Sequence, residues 1–127
     1  MFSHMMVGSN DLDRSKKFYD ALFGLVGGKD AIVDPKGRLM YLHNGGIFMV
    51  TAPIDGQPAC HANGGTIGFA METPAQADAW HAAGVANGGT AIEEDPGIRE
   101  GNGMKLYLAY LRDPDGNKLC ATHRVSA

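Results

Sequence analysis

From Leu12 onward apolar side chains return at helical spacing. Ser15, Phe18, Tyr19, Leu22 and Leu25 or Val26 share one face, while Arg14, Lys16, Lys17 and Asp20 fall outside it. This predicts an amphipathic helix. Ser9-Asn10-Asp11 offers N-cap candidates, Asp11 and Asp13 place acid in or near the first turn, and Gly27-Gly28 ends the helix. Residues 4–8 before it read as a short strand. After it, residues 31–33, 38–43 and 47–51 read as three more, separated by the turn signals Asp34-Pro35-Lys36-Gly37 and Asn44-Gly45-Gly46. Residues 1–51 therefore spell β-α-β-β-β.

Residues 52–65 are rich in Pro, Gly, Asp, Gln and Asn and read as a linker. The pattern then restarts. Residues 66–71 are strand-like, and Thr73-Pro74 is a favourable N-cap and first-turn pair. Residues 75–85 form an Ala-rich helix with Ala79, Trp80 and Ala83 expected inward, again stopped by a glycine pair, Gly88-Gly89. Residues 90–93, 106–112 and 118–122 supply three strands, and the Gly- and charge-rich residues 95–105 read as a loop. The second half, residues 66–123, thus repeats the order of the first, with the helix stops about 61 residues apart. The expected fold is α+β, a tandem of βαβββ modules in a single domain over residues 1–127.

Composition narrows the function classes. The chain has 127 residues, 20% of them charged, and a formal net charge of -3 with no basic run, so nucleic acid is not an expected partner. No apolar run reaches the length of a membrane span, and the first ten residues lack a signal-peptide pattern. The two cysteines, Cys60 and Cys120, fit reduced thiols in a cytoplasmic protein better than a disulfide framework.

The most specific stretch is the hairpin around Asp113-Pro114-Asp115-Gly116, which has type I turn preferences. With it, three runs carry a family resemblance. They are His4 followed by Asp11-Leu12, Ser15 and Phe18-Tyr19; Gly65-Thr66-Ile67-Gly68-Phe69; and Tyr110-Leu111-Arg112-Asp113-Pro114-Asp115-Gly116-Asn117. On these, the chain resembles the vicinal oxygen chelate superfamily, also called the glyoxalase/bleomycin resistance protein/dioxygenase superfamily. The resemblance implies sheets curled around one cleft that takes a small molecule, usually in a homodimer. It also implies one divalent metal held from four strands, at positions that fall here on His4, Met49, Thr66 and Cys120. Only His4 is of the expected ligand type; the family would have carboxylate, Gln or His at the other three.

A catalytic metal site generally keeps at least three protein ligands. Met49 is a weak thioether donor, Thr66 a poor ligand, and His4 with Cys120 would make at most a two-ligand site for a soft metal. No metal or other cofactor is therefore expected. His43, His61, His81 and His123 read as surface or packing residues. Without a carboxylate at position 49, the family's usual proton transfer beside a metal-polarised carbonyl has no base. His4, Tyr110 and Cys120 are the candidates for any metal-free acid/base or nucleophilic chemistry, and His4, Met6, Met49, Thr66, Tyr110 and Cys120 for a ligand cleft. Tyr110 shares a strand face with Leu108 and Arg112, where extradiol dioxygenases of the superfamily carry a cleft tyrosine. Tyr41 and Tyr107 are weaker candidates. Two functions stay open: a metal-free small-molecule binding protein, or a glyoxalase-like lyase, isomerase or dioxygenase relative acting on a small carbonyl compound or thiol conjugate.

Overall fold

A computed structural model describes residues 1–125. The chain folds as β1 (Met5–Gly8), α1 (Leu12–Leu25), β2 (Ile32–Val33), β3 (Leu39–His43), β4 (Gly46–Thr51), β5 (Ile67–Ala70), α2 (Pro74–Ala86), β6 (Thr90–Ala91), β7 (Gly97–Gly101), β8 (Met104–Arg112) and β9 (Lys118–Arg124). Two sheets result, β1-β4-β3-β2 and β5-β9-β8-β6, with β7 also on β8. In each, the first strand of the module runs parallel to its last. Both helices use the caps expected of them. The Asp11 carboxylate accepts from Arg14 N at 3.0 Å and the Thr73 hydroxyl from Gln76 N at 3.0 Å. Gly27 takes φ +82°, and Gly28 N donates to Phe23 O at 2.8 Å, so the glycine pair closes α1 in a left-handed turn.

Three expectations need correction. Residues 95–105 are not a loop. They hold β7 and the start of β8, joined by Asn102 and Gly103 at φ 51° and 74°. Both central residues at positive φ are what a two-residue type I′ hairpin needs, and Asn-Gly is its sequence signature. Asn44-Gly45, at φ 47° and 81°, makes the same turn between β3 and β4. Second, α2 buries Ala77, Trp80 and Gly84, while Ala79 and Ala83 are only half-buried. An Ala-rich helix has little contrast between its faces, so its orientation is set by where Trp80 fits. Third, α1 also buries Phe23, and of the two alternatives at its end Val26 packs against the core while Leu25 is exposed.

Each helix covers one face of its own sheet, and these inner faces merge into one core. Phe69 of β5 lies 5.4 Å from Phe48 of β4 and 6.0 Å from Trp80, ring centre to ring centre. The main helix contact between modules is α1 on α2. Gly84 lets α2 lie close on β8, because a Cβ there would sit 2.5 Å from Leu111 Cδ2, and it faces Leu22 and Phe18 of α1 at 3.4 and 3.6 Å. Among the described residues the outer edges of β1 and β5 pair with no other strand, and the sheets do not close on each other.

The hairpin between β8 and β9 ties the modules together. Asp113, 3% exposed, accepts from Asp115 N and Asn117 N through Oδ1, and from Tyr19 Oη at 2.5 Å and Asn117 Nδ2 at 2.8 Å through Oδ2. Asp115 accepts from Asn10 N at 2.9 Å, Arg14 Nη2 at 2.7 Å and Ser15 Oγ at 3.2 Å, and Asn117 Nδ2 donates to Gly8 O. Asp113, Asp115 and Asn117 each make at least one side-chain hydrogen bond to the first module, and the remaining bonds close the turn on itself. Asn10 also exchanges hydrogen bonds with Ala59, so the segment between modules is pinned at its middle.

Candidate functional site

Strand alternation decides which side chains look away from the helices. On the first sheet these are Met6 of β1, its register partner Met49 of β4, and Met40 of β3 beside Met49. Met49 is 7% exposed and Met6 37%. His4 lies just before β1, exposed, with Nδ1 2.8 Å from Ser3 Oγ. Ile32 and Leu42, 58% and 53% exposed, extend the apolar surface of this outer face.

The second sheet turns a different surface outward. Cys120 of β9 has Gly68 of β5 on one side and Tyr110 of β8 on the other as register partners. Its Sγ lies 3.4 Å from Thr122 Oγ1 and 3.5 Å from Ala121 O, and the thiol is 3% exposed. Thr66 is exposed, one residue ahead of β5. Burial, and then the neighbouring Cys120 thiol, push the Tyr110 hydroxyl above its ordinary value of 10.0. Tyr110 is therefore a neutral phenol near pH 7, able to donate a hydrogen bond and poorly suited to act as a base. His81 of α2 places its Nε2 3.0 Å from the Tyr110 carbonyl and so holds this stretch of β8 from behind.

The structure thus brings the six sequence candidates together as two groups of three, one per sheet. His4, Met6 and Met49 belong to the first sheet; Thr66, Tyr110 and Cys120 belong to the second. Within the second group Tyr110 and Cys120 are direct cross-strand neighbours. The two weaker tyrosines are occupied in the fold: Tyr41 Oη donates to Asp20 at 2.7 Å and Tyr107 Oη to Asp78 at 2.6 Å. The remaining histidines also serve packing. His123 Nδ1 bonds Met71 O at 3.0 Å, His43 meets Phe23 edge-on, and His61 lies against Gly116.

Sequence reasoning missed the charged frame around Tyr110. Lys118 Nζ lies 4.9 Å above the Tyr110 ring and pairs with Glu93. Glu93 sits between β6 and β7 at φ 59°, a left-handed conformation uncommon for a residue with a side chain. Even spacing from Cys120 was the available signal for Lys118. Nothing in the sequence marks the interruption that carries Glu93.

The residues at the family's metal positions are an imidazole, a thioether, a hydroxyl and a thiol, two on each sheet. Among the described residues no three His, Cys, Asp or Glu side chains gather closely enough to hold an ion. His4 and Cys120 sit on different sheets, and Met49 and Thr66 are poor donors for Zn, Ni, Mn or Fe. A separate apolar cavity of about 290 Å³ lies on the inner side, where Met5, Tyr41, Phe48, Ile67, Phe69 and Trp80 are among its lining. None of the six candidates borders it. Both cysteines are free, Cys60 exposed and Cys120 buried, and no described helix is long and apolar enough to cross a membrane.

Comparison with known proteins bears on the fold and its lineage. The family model Glyoxalase/Bleomycin resistance protein/Dioxygenase superfamily matches residues 1–121. A crystal structure of a glyoxalase/bleomycin resistance protein from Albidiferax ferrireducens T118 is 60% identical, covers 98% of this chain and 99% of its own, and superposes with a TM-score of 0.94. A glyoxalase/bleomycin resistance protein/dioxygenase family enzyme from Burkholderia phytofirmans PsJN superposes at 0.73 with 18% identity, covering 97% of this chain and 98% of its own. A lactoylglutathione lyase from Agrobacterium tumefaciens superposes at 0.67 with 20% identity, covering 97% and 92%. At such identities the last two speak for the fold alone. No curated protein matches the chain.

Proposed function

The chain belongs to the glyoxalase/bleomycin resistance protein/dioxygenase superfamily, and from that membership we propose that it is a metal-free small-molecule binding protein whose cleft is completed by a second copy. One observation carries the first half of this reading: the four family ligand positions hold His4, Met49, Thr66 and Cys120, split between two sheets. Even if a second copy brought the halves together, one imidazole and one thiol would remain, short of the three ligands a catalytic metal needs.

The second half rests on geometry. Each chain presents half of the candidate cleft on each sheet, and the edges of β1 and β5 are open. Exposed edges invite pairing, and a two-fold dimer that set β1 of one copy against β5 of the other would satisfy both at once. It would also face the methionine surface towards the Tyr110–Cys120 surface and cover Met6, Ile32 and Leu42. A homodimer in the cytoplasm agrees with the two free thiols.

The adjacency of Tyr110 and Cys120 supports a second reading, a glyoxalase-like lyase, isomerase or dioxygenase relative that uses a phenol and a thiol where its relatives use metal and carboxylate. Metal analysis of purified protein, with melting scans in Zn, Ni, Mn and Fe(II), separates the readings. The expected result is no stoichiometric metal and no shift. Bound metal whose stabilisation disappears in His4→Ala overturns the metal-free reading. Sedimentation velocity is expected to give a dimer, and a monomer at micromolar concentration refutes the shared cleft.

A further inference from the structure

The outer face of the second sheet is unusual in its charge. Arg112 and Lys118 stand directly opposite each other across β8 and β9. Strand alternation puts both on the face of Tyr110 and Cys120, and Arg99 and Arg124 flank Leu106 on the same face. Like charges directly opposite on a sheet oppose pairing. In a chain of net charge -3, this face gathers four cations against two carboxylates, Glu93 and Glu94, which come from the segment between β6 and β7. Local conflicts of this kind concentrate where a ligand is to be met.

The carboxylate nearest the middle of the face is held in an uncommon way. Glu93 reaches Lys118 from a residue at φ 59°, in an interruption of the strand, and its side chain is 45% exposed. Interruptions of this sort re-aim side chains at functional surfaces. Arg112 Nη1 donates to Gly116 O at 2.6 Å, which leaves its other guanidinium donors for an incoming group. Among the described residues no Asp or Glu occupies a strand position on this face. The opposing wall in the proposed dimer would be the first sheet's outer face, made of Met6, Met40 and Met49, soft and apolar.

We propose that the small molecule taken by this protein is an anion with an apolar body. The anionic group sits on Lys118 and Arg112 in the place now held by the Glu93 carboxylate, Tyr110 lies beside it, and the apolar body rests on the methionine wall. This deepens the binding reading and depends on the shared cleft. Glu93 acts as an internal stand-in for the ligand: it neutralises Lys118 in the empty protein and gives way on binding. A cationic ligand is disfavoured on the same grounds, because its charge would meet Lys118, Arg112, Arg99 and Arg124.

Four naphthalene probes of similar size test the assignment by calorimetry and thermal shift: 1-naphthylacetate, 1-naphthylmethylphosphonate, 1-naphthylethanol and 1-naphthylmethylammonium. The expected result is that one or both anions bind and raise the melting temperature, while the alcohol and the ammonium do not. The carboxylate and phosphonate arms tell which anion class fits. Glu93→Gln is expected to tighten anion binding several-fold by removing the competitor, and Lys118→Met to weaken it about tenfold or more. A purely structural Lys118–Glu93 pair would lower stability in both variants and change affinity in neither, which overturns the proposal. Far-UV circular dichroism confirms that each variant is folded, and Arg112→Gln serves as a second probe if Lys118→Met is not. Equal binding of all four probes, or preference for the ammonium, also overturns it. Sedimentation of the same samples keeps the two readings apart: a dimer without charge discrimination sinks only the ligand class, and a monomer sinks the shared cleft beneath it.

Discussion

The two modules repeat one topology and differ in what they turn outward. Both place a parallel pair at one edge, a helix across the inner face and a glycine pair at the helix stop. Yet Met6, Met40 and Met49 coat the first outer face, while Tyr110, Cys120, Thr122, Lys118 and Arg112 coat the second. They also differ in their loads within the fold. The turn of the first module, Asn44-Gly45, is a bare hairpin. The corresponding turn of the second, residues 113–117, reaches across and fastens itself to β1 and α1. The topology is shared between the modules, whereas the fastening and the walls differ. The following substitutions break or sharpen that contrast, from the largest expected effect to the smallest.

Asp113→Ala is expected to be the most damaging. It removes a buried carboxylate with four hydrogen-bond donors on it and leaves the hydroxyl of Tyr19 and the amides of Asp115 and Asn117 without their acceptor. Burial, with Asp113 next to it, holds the Tyr19 hydroxyl far above its ordinary range, so Tyr19 stays a donor with nothing to donate to. The loss is expected to be about 3–5 kcal/mol in urea denaturation, a large share of a small domain's stability. Asn44→Ala in the other module's turn is expected to cost roughly 1 kcal/mol, as a side chain forced to positive φ without a local hydrogen bond. Equal losses would mean that the fastening is not carried by the second turn.

The glycine pairs sharpen the same contrast at the helix ends. A Cβ on Gly89 would lie 2.7 Å from Phe18 Cε1, 2.9 Å from Gly84 O and 3.0 Å from Arg112 O, and two of those three are backbone. On Gly28 the nearest backbone atom is Phe23 O at 3.0 Å, with side chains at 3.2 and 3.4 Å. Gly89 sits where α2, α1 and β8 converge, whereas Gly28 meets only its own module. Gly89→Ala is expected to cost about 2–3 kcal/mol and Gly28→Ala about 1 kcal/mol, read from denaturation midpoints at unchanged slope.

Much of this architecture could be read from the sequence, and the reasons for the exceptions are physical. Helix caps, glycine stops and the Asp113–Gly116 turn are local, so their residues announce them. The strand Gly97–Gly101 was hidden because it lies at a sheet edge with both faces partly wet, and its polar residues resemble a loop. Only Asn102-Gly103 betrayed it. The fastening of Asp113 to Tyr19 and Asp115 to Arg14 joins residues 94 and 101 positions apart, beyond any periodicity argument. Two of the three runs that suggested the fold, the one through Asp11–Tyr19 and the one through Tyr110–Asn117, turn out to be the two sides of that one contact. The candidate site was legible as a list of positions divided three and three between the modules; that both groups lie outside the core the modules share was not, because that depends on how Phe48, Phe69 and Trp80 pack.

The helix caps test whether the modules share their stability evenly. Asp11→Ala and Thr73→Ala each remove one side-chain acceptor from a helix N-terminus and are each expected to cost about 1 kcal/mol. Asp11 also adjoins Asn10 and Arg14, which bond Asp115, so its loss loosens the fastening as well. Asp11→Ala is therefore expected to be the worse of the two by a few tenths of a kcal/mol. The reverse order would place the weaker link in the second module.

The smallest effect is an acid one, confined to the first module. Burial pushes the Asp20 carboxyl upward, but Lys16 at 2.7 Å, the Ala31 amide and the Tyr41 hydroxyl together hold it below its ordinary value of 3.8. A carboxylate whose folded value is depressed adds stability that is complete above the unfolded value and disappears as pH falls through the folded one. The contribution of Asp20 is thus present from about pH 5 upward and is lost in steps below pH 4. Lys16 is partly exposed, so solvent screening keeps the amount to about half a kcal/mol. Asp20→Asn retains an acceptor for Ala31 and Tyr41 and removes only the charge. Unfolding free energies between pH 7 and pH 3 should show a shallower acid decline in Asp20→Asn than in the parent. An unchanged slope would assign the acid sensitivity to another carboxylate.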